Sequence, residues 1–142
     1  MKISGILDRK GSTVITAAPS ISVTEFLHLL AQHGIGAIVV VSDGRPVGII
    51  SERDVVLRLA EVGAAALDQP ISELMTSELV TCTAEDALED TAMLMTERRI
   101  RHLPVLAGEQ LAGIVSIGDV VAARLRELEQ TQAQLESYIT HG

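Results

Sequence analysis

The chain repeats itself, and the repeat limits its fold more than any other feature. Residues 14–56 can be laid on residues 79–121 at a constant offset of 65, without a gap. Ten of these 43 positions are identical, and six of the ten fall in the last nine, Gly-Ile-(Ile/Val)-Ser-x-x-Asp-Val-Val. The pairs Thr16/Thr81, Leu29/Leu94, Ile35/Ile100 and Val40/Val105 supply the others, and further positions such as Leu30/Met95 are apolar in both copies. A two-copy repeat of this length implies two similar supersecondary units packed face to face, each covering the other's apolar side. With 142 residues the chain suits one compact domain or two small halves sharing a core, and needs no disulfide or metal staple.

Each copy reads as β-α-β-β-α. Val14-Ile15-Thr16 and Leu79-Val80-Thr81 are short β runs. A helical pattern follows, with Val23, Phe26, Leu27 and Leu30 on one face in copy one, and Leu88, Ala92 and Met95 in copy two. Ser22 with Glu25, and Thr83 with Asp86, have capping-box spacing near those helix starts. Two strands come next, Ala37–Val41 and Val47–Ile50, around an Asp43-Gly44 hairpin signal. Their counterparts are Leu103–Leu106 and Leu111–Val115, around Ala107-Gly108-Glu109. A second helix begins just after Ser51 and just after Ser116, and Pro70–Thr76 is the connector. Residues Ile3–Leu7 are expected to form a short helix that packs back onto the module. The tail Asp119–Ile139 is a longer helix on which Leu125, Leu128, Gln132, Leu135 and Ile139 step by 3, 4, 3 and 4. This is an a/d seam with one polar slot, and it fits either a dimer contact or packing on the chain's own domain.

Composition narrows the rest. Apolar residues make up 47% of the chain but aromatics only 1%, so the core is built from Val, Ile, Leu, Ala and Met. The net charge of −8 argues against nucleic-acid binding, although Arg98, Arg99 and Arg101 cluster locally. The one cysteine, Cys82, has no intrachain partner for a disulfide, and it is expected to be buried and inert. No signal-peptide pattern and no apolar run approaching about 20 residues is present, so the expectation is a cytoplasmic protein without membrane contact. His28 and His33 do not share a helix face, which leaves no metal site.

The recurring Ser-x-x-Asp sits at a strand-to-helix junction. An Asp carboxylate there can accept hydrogen bonds from both hydroxyls of a ribose, at about 1.5–3 kcal/mol each. A Ser hydroxyl and free N–H groups at the helix start suit a phosphate, and Arg53 lies within reach of it. The same spacing is also a plain capping box, and the repeated Gly48/Gly113 also serves tight packing. Neither reading is excluded by the residues alone.

The paired Gly-Ile-(Ile/Val)-Ser-x-x-Asp motifs resemble the CBS domain. So do Pro70-Ile71-Ser72-Glu73-Leu74-Met75-Thr76 between the copies and Arg101-His102-Leu103-Pro104-Val105 on the middle strand of copy two. The resemblance covers about residues 1–125 and implies an α/β (α+β) fold, two pseudo-symmetric β-α-β-β-α repeats packed sheet to sheet with a C-terminal helix. The corresponding domains are repeat one at 1–68 with the N-terminal segment, repeat two at 69–125 and a helical tail at 126–142. Such pairs form one Bateman module with two clefts between the copies, each able to hold an adenosine ligand such as AMP, ATP, NAD or S-adenosylmethionine. Carried over, Ser51 and Asp54 hold ribose and phosphate in one cleft, and Ser116 and Asp119 in the other. Thr16 and Thr81 flank adenine, together with the backbone around Ala37 and His102. His102 also suits base stacking, and Arg101 a ligand phosphate; a partly buried polar residue and a solvated basic turn are the plain alternatives. Copy two has Arg101-His102-Leu103-Pro104 where copy one has Gly36-Ala37-Ile38-Val39, and Arg53 aligns with Gly118, so only copy one has a basic residue beside its Asp. The two clefts are therefore expected to differ in affinity.

No catalytic constellation, Walker loop or metal cluster is legible. The expected function is regulatory: a non-enzymatic, adenine-nucleotide-binding module with no obligatory cofactor, acting as a homodimer or on a separate regulated protein. The alternative is a protein-interaction or structural dimer whose clefts are vestigial.

Overall fold

A computed structural model describes residues 1–11 and 13–141, the side chain of His141 excepted. The elements run α1 (Ile3–Lys10), β1 (Thr16–Ala17), α2 (Val23–His33), β2 (Ala37–Ser42), β3 (Arg45–Ser51), α3 (Glu52–Val62), α4 (Leu88–Arg98), β4 (His102–Ala107), β5 (Gln110–Ser116) and α5 (Ile117–His141), with 3-10 turns at Gly63–Asp68 and Ile71–Glu73. The chain divides into two compact units, one of Thr13–Val80 and Gly108–Leu111, the other of Met1–Ser12, Thr81–Ala107 and Ala112–Gly142. Gly142, the last residue of the expected tail, lies outside the described residues.

The first of these units carries copy one. Its sheet has the order β1-β2-β3, with β1 parallel to β2 and β2 antiparallel to β3. Asp43 and Gly44 both take positive φ (52° and 76°), as a two-residue type I′ hairpin requires. Ser22 caps α2 by accepting a hydrogen bond from the Glu25 N–H at 3.1 Å, and Gly34 ends the helix in the left-handed region. Val23, Phe26 and Leu30 of α2 pack with Ile38, Val40, Ile50, Val55, Ile71 and Leu74 into an almost entirely aliphatic core. The connector adds to this unit. Thr76 pairs antiparallel with Ile49 through hydrogen bonds of 3.0 and 2.9 Å, and Arg58 of α3 reaches Gln69 and the Glu73 carbonyl. A Cβ at Gly48 would lie 2.5 Å from the Met75 sulfur and 3.1 Å from the Thr76 carbonyl oxygen, so this glycine permits the connector's close approach.

The second unit carries copy two and α1. The N-terminal helix extends to Lys10, three residues beyond the expected Leu7, and buries Ile3 and Ile6. Its opening N–H groups at Ile3 and Ser4 donate to the carbonyls of Asp86 and Ala84, which satisfies two of the free donors of a helix start. Gly113 is the counterpart of Gly48. A Cβ there would lie 2.6 Å from a methyl carbon of Leu7, so α1 takes the place against copy two that the connector takes against copy one.

Two expectations fail in copy two. Leu79-Val80-Thr81 forms no strand; only Cys82 bridges to Val105, through Cys82 N–H to Pro104 O (3.0 Å) and Leu106 N–H to Cys82 O (2.8 Å). The next rung needs an N–H from residue 104, and proline has none. In copy one that position is Val39, which pairs with Thr16. Thr83 and Asp86 do bond to each other, at 2.9 and 3.0 Å, but they close a turn ahead of the helix. The residue that caps α4 is Ala87, which has no side-chain acceptor. On α4 the buried face is Leu88, Thr91 and Met95, with Ala92 only half-buried. Cys82 is buried as expected; burial, and then the charge of Asp86, push its thiol pKa up to about 12, so it stays protonated.

Candidate functional site

Ser51 ends β3 and Ser116 ends β5, each immediately before a helix. Two backbone bonds fix the junctions alike: Glu52 N–H to Gly36 O at 3.1 Å, and Ile117 N–H to Arg101 O at 2.8 Å. These tie the first turn of α3 and α5 to the residue before β2 and β4. Each aspartate then folds back on its serine. The Ser51 N–H donates to Asp54 Oδ2 at 2.8 Å, and the Ser51 hydroxyl approaches the same oxygen at 3.3 Å. The Ser116 N–H donates to Asp119 Oδ2 at 2.9 Å, and the Asp119 N–H donates to Ser116 Oγ at 3.1 Å.

Both carboxylates are thus helix caps, and both are half-buried. Capping does not exhaust them. Every protein hydrogen bond to either group goes to Oδ2; among the described residues none reaches Oδ1. A carboxylate oxygen has two lone pairs. The capping and sugar-binding readings are therefore compatible, since each aspartate keeps an oxygen for a ligand hydroxyl.

The two junctions differ in charge, and in the opposite sense to the repeat alignment. Arg53 is exposed on α3 and makes no ion pair among the described residues. It is Asp119 that carries a cation: Lys10 Nζ, from the end of α1, lies 2.7 Å from Asp119 Oδ2 and donates to the Ile114 carbonyl at 3.0 Å. The alignment compares sequence neighbours only, and this lysine arrives from 109 positions away. Burial alone would raise the Asp119 pKa. The hydrogen bonds from Lys10 and the Ser116 N–H, with the lysine's charge, outweigh it and hold the group below its usual value. Asp119 and Lys10 line a hollow of about 230 Å³ with Ile6, Arg9, Ala122 and Arg126.

The other expected site residues fall as follows. Thr16 lies in β1 and is exposed; Thr81 is half-buried just before the Cys82 bridge. His102 is half-buried at the first position of β4, and Arg101 is exposed just ahead of it. Sequence reasoning missed Lys10, Arg9 and Arg126, and only the predicted packing-back of the N-terminal helix pointed toward them. Among the described residues no group of three or more His, Cys, Asp or Glu side chains is placed to hold a metal ion, and no helix is long and apolar enough to cross a membrane.

The sequence model of the CBS domain matches the chain twice, at residues 5–61 and 71–126. The CBS domain-containing protein YhcV of Bacillus subtilis is 35% identical over 123 residues, which cover 87% of each chain. The crystal structure of the CBS-domain containing protein ATU1752 from Agrobacterium tumefaciens is 44% identical and superposes with a TM-score of 0.85, covering 87% of this chain and 99% of that one. The CBS domain pair of protein MJ0100, solved in complex with 5′-methylthioadenosine and S-adenosyl-L-methionine, is 27% identical with a TM-score of 0.75, covering 91% and 98%.

Proposed function

Because the chain belongs to the CBS-domain family, as a pair of CBS repeats, we propose that it is a regulatory module that binds an adenosine-containing ligand, with Asp54 and Asp119 as ribose acceptors. One observation carries this reading. The same Ser-x-x-Asp closes both strand-to-helix junctions, and in each the cap uses Oδ2 and leaves Oδ1 without a donor among the described residues. At this third helical position a box alone would be closed as well by Glu or Gln; a short carboxylate with a spare oxygen also suits paired hydroxyls. The bound adenosine compounds of the MJ0100 pair support the ligand class. Ser51 and Ser116, Thr16 and Thr81, Arg53, Arg101 and His102 are proposed as further ligand contacts, on family resemblance. A cytoplasmic, non-catalytic role fits the single buried thiol and the readings above.

The reading extends to self-association. Leu125, Leu128, Leu135 and Ile139 of α5 are 52–79% exposed, so the apolar stripe is left uncovered by the chain itself. We infer that a second copy covers it, and that ligand binding acts through the preference of one dimer state over another. The test is calorimetry of the purified chain with AMP, ATP, NAD and S-adenosylmethionine, repeated on Asp54→Ala and Asp119→Ala after melts confirm that both fold. Heat from at least one ligand, reduced in a variant, is expected. Silence from all four, or binding indifferent to both substitutions, overturns the reading and favours an interaction protein with vestigial sites.

A further inference from the structure

The hollow beside Asp119 holds more positive charge than its carboxylate uses. Arg9 and Arg126 line it, and neither guanidinium has a hydrogen-bond or ion-pair partner among the described residues. A second hollow of about 370 Å³, lined by Met1, Gly5, Asp8, Arg9, Arg126 and Gln130, shares the same two arginines. Asp8 pairs with neither of them. Lys10 spends two N–H donors, on Asp119 and on the Ile114 carbonyl, and an ammonium has three. Three cations therefore line the Asp119 hollow with that one carboxylate, and Asp8 borders only the second hollow, on a chain whose net charge is −8. Unpaired cations gathered in one concavity of an acidic protein are a site for an anion, and forked guanidinium donors match the oxygens of a phosphate.

We propose that Arg9, Lys10 and Arg126 form an anion subsite that takes the phosphate of the ligand whose ribose Asp119 holds, so that this site selects phosphorylated nucleotides over nucleosides and over sulfonium-bearing ligands. The proposal rests on the ribose reading for its ligand, but its residues lie on α1 and α5, outside the repeated motif. The order of preference follows from charge. A phosphate monoester or polyphosphate gains charge-assisted bonds that adenosine lacks. S-adenosylmethionine brings a positive sulfonium toward three cations. Among the described residues the copy-one junction has no such cluster, so the two aspartates differ in the ligands they favour.

The test is titration of the full-length chain with adenosine, AMP, ATP, S-adenosylmethionine and pyrophosphate. It is followed by the amide resonances of Lys10, Asp119 and Ala122, which report this hollow and not Asp54. AMP is expected to bind at least about tenfold more tightly than adenosine, and S-adenosylmethionine more weakly than AMP. The double variant Arg9→Gln/Arg126→Gln is expected to lose about ten- to hundredfold in AMP affinity, with adenosine affinity unchanged. Equal affinities for AMP and adenosine, tighter binding of S-adenosylmethionine than of AMP, or an AMP-to-adenosine ratio untouched in the double variant would each overturn the anion subsite. Failure of the ribose reading looks different. Asp119→Ala would then leave adenosine binding unchanged, while pyrophosphate would still perturb the same amides and lose that effect in the double variant.

Discussion

The ion pair between Lys10 and Asp119 makes the protein's stability depend on acid in a defined way. The two side chains are 36% and 27% exposed, so water screens their attraction, and the value of an exposed pair, about 0.2–1 kcal/mol, is the right starting point. Two features push toward the upper end. The contact is a short charge-assisted hydrogen bond of 2.7 Å, and the lysine is already oriented by the Ile114 carbonyl. A double-mutant cycle of Lys10→Met and Asp119→Asn should therefore return a coupling of about 1 kcal/mol at pH 7; a term of that size corresponds to about 3–4 °C in melting midpoint. Asn retains an acceptor for the Ser116 N–H, and the lost Lys10–Ile114 bond cancels within the cycle. The pH dependence follows from the sign of the shift. The Asp119 pKa is lowered in the folded state, so its contribution is fully present above the unfolded carboxylate value near 4 and is lost as pH falls through the lower folded value. Urea melts of the four proteins from pH 7 down to pH 3 would measure this. A coupling that is near zero at pH 7, or that keeps its neutral value at the acid end, would refute the argument.

Three further outcomes follow from local geometry. Arg99 ends α4 with φ 53°, at the position where copy one has Gly34; Arg99→Gly should stabilise the protein by about 0.5–1 kcal/mol in chemical denaturation. Gly48→Ala should cost about 1–3 kcal/mol, because the new methyl meets the Thr76 carbonyl as well as the flexible Met75, and Gly113→Ala should cost less, because it meets only the end of Leu7. Leu125→Glu/Leu128→Glu should shift the chain to monomer in sedimentation without lowering its melting midpoint by more than a degree or two, since both leucines are exposed in the monomer.

What could be read from the sequence was what neighbours in the chain decide. The Asp43-Gly44 hairpin, the Ser22 cap and the Val23, Phe26, Leu30 face each depend on residues a turn apart, and each appears as expected. The missing strand beside β4 was legible too, since Pro104 removes the N–H its ladder needs, but a reading of the apolar run Leu79-Val80 alone does not show which residue it must pair with. Thr83 and Asp86 show the limit of spacing rules: a hydroxyl and a carboxylate three apart close a turn as readily as they cap a helix. Lys10 and its arginines were out of reach, because nothing in a repeat alignment says which outside segment will lie beside which copy.

That last point explains how a duplicated motif comes to differ between its copies. Gly48 and Gly113 both open a gap in a strand that an outside segment fills, the connector through Met75 in one unit and α1 through Leu7 in the other. Copy one therefore receives a thioether against its glycine and copy two a leucine methyl, while Lys10, three residues beyond that leucine, carries an ammonium to the cap carboxylate. The connector adds packing and no charge at Asp54; α1 adds Lys10, which with Arg9 and Arg126 lines the hollow at Asp119 and makes that junction a charged one. The repeated motif supplies two like carboxylates, and the outside segment packed against each copy, not the one that leads into it, sets the charge beside that copy's carboxylate.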